Sequence, residues 1–157
     1  MTNLFWGEPM EIESYAMIII PMIMWISAQI IKFILYSVKN GIDWKYLFEY
    51  GHMPSSHTSC MTSLIFVIGY YNGINSALFA ITLTVGLITI YDALKLRTYI
   101  GDYGKTINQV IRDSGLKTDS YPKLKERVGH TLSEVLSGGT LGLAGSALLI
   151  QIFKHFS

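Results

Sequence analysis

The run YAMIIIPMIMWISAQII, residues 15–31, contains no charged side chain, and with Lys32 as its single interruption the apolar stretch continues to Val38. That length suits a helix crossing a hydrocarbon core of roughly 30 Å. Pro21 is a candidate kink. Glu8, Glu11 and Glu13 precede the run where a leader would carry Lys or Arg, and no small-residue cleavage site follows it, so it reads as part of the mature chain. Further along, His57 and Asp92 are the only ionisable groups between Pro54 and Leu94 apart from tyrosines and Cys60. The Asn72-Gly73 turn signal divides this stretch into a helical hairpin, about 57–71 and 75–95. From Thr131 to Phe153 only Glu134 is charged, which supplies a fourth span. Between the third and fourth spans, Ile100, Tyr103, Ile107, Val110 and Ile111 recur at helical spacing, with Ser114-Gly115 as a stop. The 97–129 segment is read as an interfacial helix plus a loop. The expectation is an all-α, polytopic membrane helical bundle of about four transmembrane helices plus an interfacial helix, forming one membrane-embedded domain over residues 1–157.

Composition agrees. Half of the 157 residues are hydrophobic and only 15% are charged, and the mean hydropathy is +0.37. A formal net charge of +1 leaves no basic field to hold a nucleic acid. Cys60 is the single cysteine, which excludes an internal disulfide framework and any CxxC site. The basic residues predict orientation. The N-terminal segment has three glutamates and no cation before the first span, the 39–53 loop carries Lys39 and Lys45, and residues 95–129 carry eight lysines and arginines. Lys154 votes the other way. The basic loops are therefore expected in the cytoplasm, with the starts of the second and fourth spans on one side.

Those two starts hold the chemically suggestive residues. In Gly51-His52-Met53-Pro54-Ser55-Ser56-His57, a serine can cap the second span, so that first-turn amides face an anion and His57 stands one turn in. The bland alternative is a helix start with an interfacial histidine. In the second stretch, Leu124 to Glu134, His130 and Glu134 are four apart and share a helix face. The carboxylate can accept one ring N–H and leave the other nitrogen as nucleophile or base. A glutamate at membrane depth needs a partner, and His130 is the expected one. The bland alternative there is a pair that only closes the bundle. A third group follows the third span: Asp92, Lys95, Arg97, Gly101, Gly104-Lys105 and Asn108. Arg97 reads equally as a phosphate ligand and as a topogenic, snorkelling residue, Lys105 is a further candidate cation, Lys95 reads as topogenic, and Asp92 as the anchor of a cation. Gly138, Gly142 and Ser146 suggest close helix approach. Met17, Met22 and Met24 are read as lipid-facing filler, and His52 and His155 as solvated or interfacial.

In these blocks the chain resembles the divergent branch of the type 2 phosphatidic acid phosphatases (PAP2), relatives of lipid phosphatases and vanadium haloperoxidases. The resemblance rests on Met53-Pro54-Ser55-Ser56-His57, on Tyr91-Asp92-Ala93 with Arg97, Gly101 and Asn108, and on Leu124-Lys125-Glu126, Gly129-His130-Thr131 and Glu134-Val135. It covers about 51–145. It implies that His57 is the leaving-group acid, His130 the nucleophile forming a phosphohistidine, and Glu134 the orienting carboxylate, without metal or other cofactor. Ser55, Ser56, Arg97, Lys125, Asp92 and Lys105 are then the expected substrate-binding residues. The family's Lys-x6-Arg-Pro block has no counterpart, and Glu134 stands where Asp is usual. The implied activity is hydrolysis of a phosphomonoester headgroup at the cytoplasmic face of the cell membrane. Phosphatidylglycerophosphate leads, ahead of undecaprenyl pyrophosphate and phosphatidate. Two alternatives remain at this level: a non-enzymatic lipid-phosphate binder, and a metal-dependent phosphatase using Asp92 and Glu134. Four spans are few to enclose a pocket, which leaves a homodimer as an open expectation.

Overall fold

The computed structural model describes residues 12–44, 53–115 and 121–156. Glu8, Glu11, Lys45, Gly51, His52 and Lys117 lie outside them. Five α-helices occur in order: α1 (Ile12–Asn40), α2 (Ser56–Asn72), α3 (Ala77–Tyr91), α4 (Arg97–Asp113) and α5 (Leu132–Phe156). A π-helical turn, Asp92–Leu96, joins α3 to α4. Among the described residues there is no strand. Three stretches, Tyr15–Asn40, Ala77–Asp113 and Leu132–His155, are long and apolar enough to cross a membrane.

The stripe of α1 that faces the protein is Ala16, Ile20, Met24, Ala28 and Lys32, all buried and each four residues after the last. Spacing of four keeps them in one row along the helix. The opposite side, including Ile18, Ile30 and Ile34, is exposed apolar surface suited to lipid. Pro21 leaves α1 unbroken. Met24 departs from its reading as lipid-facing filler, because its side chain lies over Gly145 of α5, where a Cβ would collide with it.

The helix at the centre is α2, which packs against α1, α3 and α5. Over its first half the inward residues are short and polar, with Ser56, Thr58, Ser59 and Ser63 buried, and Val67 and Ile68 follow them. Their hydroxyls stay satisfied while neighbouring backbones come close. Ser59 Oγ donates to the Met24 carbonyl at 3.3 Å, and Ser146 Oγ to Ser63 Oγ at 2.6 Å. On α5, a Cβ at Gly138 would strike the Ser55 carbonyl, and one at Gly142 would strike Ser59 and Thr62. The expected small-residue seam is therefore real, and both partners advance along it together: 55, 59 and 63 against 138, 142 and 146. Helices α2 and α5 run parallel, so their N-termini share one end of the bundle. Without that parallel pairing the two histidine blocks would sit at opposite ends.

The Asn72-Gly73 turn falls as expected, with Gly73 at φ +81 and Ser76 capping α3 through the Phe79 N–H at 3.1 Å. One expectation changes. The third span and the amphipathic helix after it form one continuous rod, because the π turn carries the backbone bonding through, with Arg97 N–H donating to the Asp92 carbonyl. The apolar residues whose spacing predicts α4 mark its outer side: Ile100, Tyr103, Ile107 and Val110 are exposed, while Gly101, Gly104 and Asn108 are buried.

Candidate active site

Construction of the site starts at the first turn of α5. Thr131 caps it, accepting the Glu134 N–H at 3.3 Å on Oγ1, and Glu134 returns Oε2 to the Thr131 N–H at 3.0 Å. This reciprocal capping box satisfies two backbone donors and holds the carboxylate in one rotamer. The same Oε2 lies 3.0 Å from His130 Nδ1, and Oε1 accepts from Arg127 Nη2 at 3.1 Å. A carboxylate gathering three donors acts as acceptor only, so the hydrogen lies on His130 Nδ1, and the neutral ring carries its lone pair on Nε2. The side chains of His130 and Glu134 are 7% and 4% exposed, which places the pair away from water.

Two backbone bonds lock this turn to the rest of the protein. Ser55 N–H donates to the Glu134 carbonyl at 3.0 Å, and His130 N–H donates to the Ala93 carbonyl of the π turn at 3.0 Å. A third fixture is the 121–130 segment lying on the small-residue side of α4. Asn108 clamps it by donating to the Leu124 carbonyl at 2.9 Å and to Glu126 Oε1 at 3.0 Å, and by accepting the Leu124 N–H at 3.1 Å. Gly101 and Gly104 lie against the Glu126 and Lys125 carbonyls, with no room for a Cβ. Gly129 likewise abuts Thr98. Gly101, Gly104 and Asn108 thus deliver Arg127 and His130 to the site.

His57 stands in the first turn of α2, half-buried. Among the described residues, the ionisable groups that act on it are Arg97, His130, Lys32 and Asp92. The two imidazoles, 73 positions apart in sequence, therefore share one electrostatic neighbourhood. Arg97 Nε donates to Asp92 Oδ2 at 3.0 Å, across the π turn, which aims the guanidinium and leaves its terminal nitrogens for other partners.

Among the residues expected to bind substrate, Ser55 has another occupation. It is fully buried, its N–H goes to Glu134, and its Oγ accepts from Thr58 Oγ1 at 3.0 Å. Ser55 joins α2 to α5, and the first-turn amides left for an anion are those of Ser56 and His57. Lys105 and Lys125 are exposed. Neither takes part in the hydrogen-bonding around His130.

Two residues not expected in the site are present. Lys32 is 4% exposed and extends the buried row of α1 to His57. The sequence holds a signal for it: the row Ala16-Ile20-Met24-Ala28 predicts an inward position at 32, and a cation inside an apolar span has a partner or a task. Arg127, seven residues before Glu134, emerges only with the loop's path. No three His, Cys, Asp or Glu side chains converge as a metal would require, among the described residues.

Residues 14–145 match the family described as the Divergent PAP2 family. The chain is also 31% identical, over 141 residues, to a Bacillus subtilis (strain 168) protein named as uncharacterized membrane protein YuiD, covering 82% of this chain and 89% of that one. No solved structure matches it.

Proposed function

Because the chain belongs to the divergent PAP2 family, we propose that it is a membrane phosphatase that hydrolyses a phosphomonoester on a lipid headgroup through a phosphohistidine, without metal. The observation that carries this reading is the bond from Ser55 N–H to the Glu134 carbonyl, which joins the first turns of α2 and α5 and with them His57 and His130, while Glu134 holds the His130 ring at Nδ1. His130 Nε2 attacks phosphorus as the bond from phosphorus to the lipid oxygen breaks. His57, made imidazolium by the negative charge of the bound phosphate, passes its proton to the departing alkoxide. The now neutral His57 then takes a proton from water, whose oxygen attacks the phosphohistidine. Inorganic phosphate leaves, and His57 is again protonated. Arg97, Lys32 and the amides of Ser56 and His57 stabilise the charge spread over the equatorial oxygens. Glu134 stabilises the positive charge that His130 acquires on attack.

Phosphatidylglycerophosphate is the preferred substrate, giving phosphatidylglycerol, and the site faces the cytoplasm, where the basic segments favour being. Purified protein in detergent would be assayed against phosphatidylglycerophosphate, undecaprenyl pyrophosphate and phosphatidate, with His57→Ala and His130→Ala as controls. The expected result is phosphate release that both substitutions abolish, with a phosphohistidine trapped in the wild type. Binding without turnover, or activity unchanged in both variants, would overturn the reading.

A further inference from the structure

The outer side of α4 carries a stripe for which the histidine site has no use. Leu96, Ile100, Tyr103, Ile107 and Val110 are exposed and follow one another in steps of four, three, four and three. That alternation has a period of 3.5 residues, the repeat of a helix that pairs with another along one seam. The repeat is present on α3 as well, where the exposed Leu78, Ile81, Val85 and Ile88 advance by three, four and three. Ile88 and Leu96 are eight apart, one heptad plus one residue. The π turn Asp92–Leu96 absorbs the extra residue through its wider bond, Arg97 N–H to the Asp92 carbonyl. In an uninterrupted α-helix the two halves of the stripe would be turned about 80° from each other. Asp92 is the charged place in the row, and Arg97 of its own chain neutralises it.

Bilayer or protein could cover such a stripe, and three observations favour protein. First, Ala77–Asp113 is one helix of 37 residues, about 55 Å long against a hydrocarbon core of about 30 Å. Even tilted by about 40° it spans about 42 Å. The bond from His130 N–H to the Ala93 carbonyl puts the start of α4 at the site end of the bundle, so α4 is the part that overreaches. Second, an unbroken helix does not turn through the right angle that would lay α4 flat on the bilayer. Third, its polar side mixes Asp102 and Asp113 with Lys105 and Arg112, unlike the Lys- and Arg-rich face of a surface helix.

We infer that the α3–α4 rod pairs through this stripe with the same rod of a second copy of the chain. The pairing is parallel, because both copies enter the bilayer in the same direction. Charge suits it: Tyr99, Gly104, Thr106 and Ile111 flank the seam on α4, whereas Asp102, Lys105 and Arg112 fall at heptad places that face away. Beyond the hydrocarbon, burial of the α4 side chains drives association, and within it packing alone acts. On another of its faces α4 holds the 121–130 segment through Gly101, Gly104 and Asn108. Pairing is independent of the reaction at the histidines.

The test takes the full-length protein with Cys60→Ser, which removes the native thiol, in phospholipid vesicles. Single cysteines enter by Ile100→Cys or Ile107→Cys on the seam and by Asp102→Cys or Lys105→Cys off it, all at exposed positions of α4. In a parallel pair each seam position faces itself. Copper phenanthroline is therefore expected to link Ile100→Cys and Ile107→Cys into dimers several-fold faster than the other two. Charge then separates contact from damage to the fold. Ile107→Glu should weaken energy transfer between fluorescently tagged copies roughly tenfold, by setting like charges opposite each other. Mixing Ile107→Glu with Ile107→Lys should restore it. Equal linking at all four positions, faster linking off the seam, or a Glu/Lys mixture that associates no better than Ile107→Glu alone would overturn the pairing. So would the absence of dimer in every variant, the result if the bilayer or another part of the same chain covers the stripe.

Discussion

Replacing Glu134 by glutamine removes one charge at nearly constant shape, and the contacts around it set the outcome. Glutamine offers one oxygen where three donors now converge. The favourable arrangement keeps that oxygen at the Oε2 position, accepting from the Thr131 N–H and from His130 Nδ1, and turns the amide NH2 toward Arg127. Arg127 is 65% exposed and can swing into water, so the lost ion pair costs little. The cap and the tautomer survive, and the melting temperature should fall by only a few degrees. What disappears is the negative charge beside an imidazole that, on the proposed mechanism, becomes positive as it attacks phosphorus. Unit charges about 4 Å apart, at an effective dielectric of about 20, interact by about 4 kcal/mol. The expected loss in kcat is therefore about 10²–10³-fold. The assay is phosphate release from lipid in detergent, run beside thermal unfolding of the same preparation. Turnover within tenfold of wild type, in protein that melts normally, would refute the role given to Glu134.

Other perturbations separate scaffold from chemistry. Gly142→Val should push α5 off α2, costing about 1–3 kcal/mol as overpacking does, read as a fall in melting temperature. Asn108→Ala removes the clamp on the 121–130 segment. Helical content measured by circular dichroism should persist while trypsin cuts faster at Lys123 and Lys125 and phosphate release drops at least tenfold, an expectation of order a few lost hydrogen bonds. Reporter fusions placed in the 39–53 and 116–128 segments should both report the cytoplasm, and an external signal from either would reverse the orientation while leaving the chemistry intact.

Legibility in the sequence tracks the range of the forces involved. Helix starts are local: a serine before a helix, a threonine three residues ahead of a glutamate, and an Asn-Gly turn each act within one turn of chain, and α2, α3 and α5 begin where these signals lie. The parallel α2/α5 seam is half legible. Gly138, Gly142 and Ser146 announce a close approach, but only the matching serines on α2 identify the neighbour. The π turn is hidden, because the partner of its Ala93 carbonyl, the His130 N–H, is 37 residues further along. Asp92, Lys95 and Arg97 read as the end of a span, whereas pairing of Asp92 with Arg97 lets the helix continue. Lys32 reads as an interruption of an apolar run, although its place in the row of four points inward. Sequence proximity to the motifs favours exposed lysines as the phosphate cations, and the buried cation beside His57, to which the proposal gives that role, stands on another helix.

One carboxylate both begins α5 and steadies the imidazole next to it. Fraying of that single helical turn would release the histidine ring at the same moment. On the proposed mechanism, a newly inserted chain whose last helix has not yet docked would be catalytically silent, and activity would appear only on assembly. Competence is thereby tied to completion of the fold, with no separate inhibitor needed to guard the surrounding lipids.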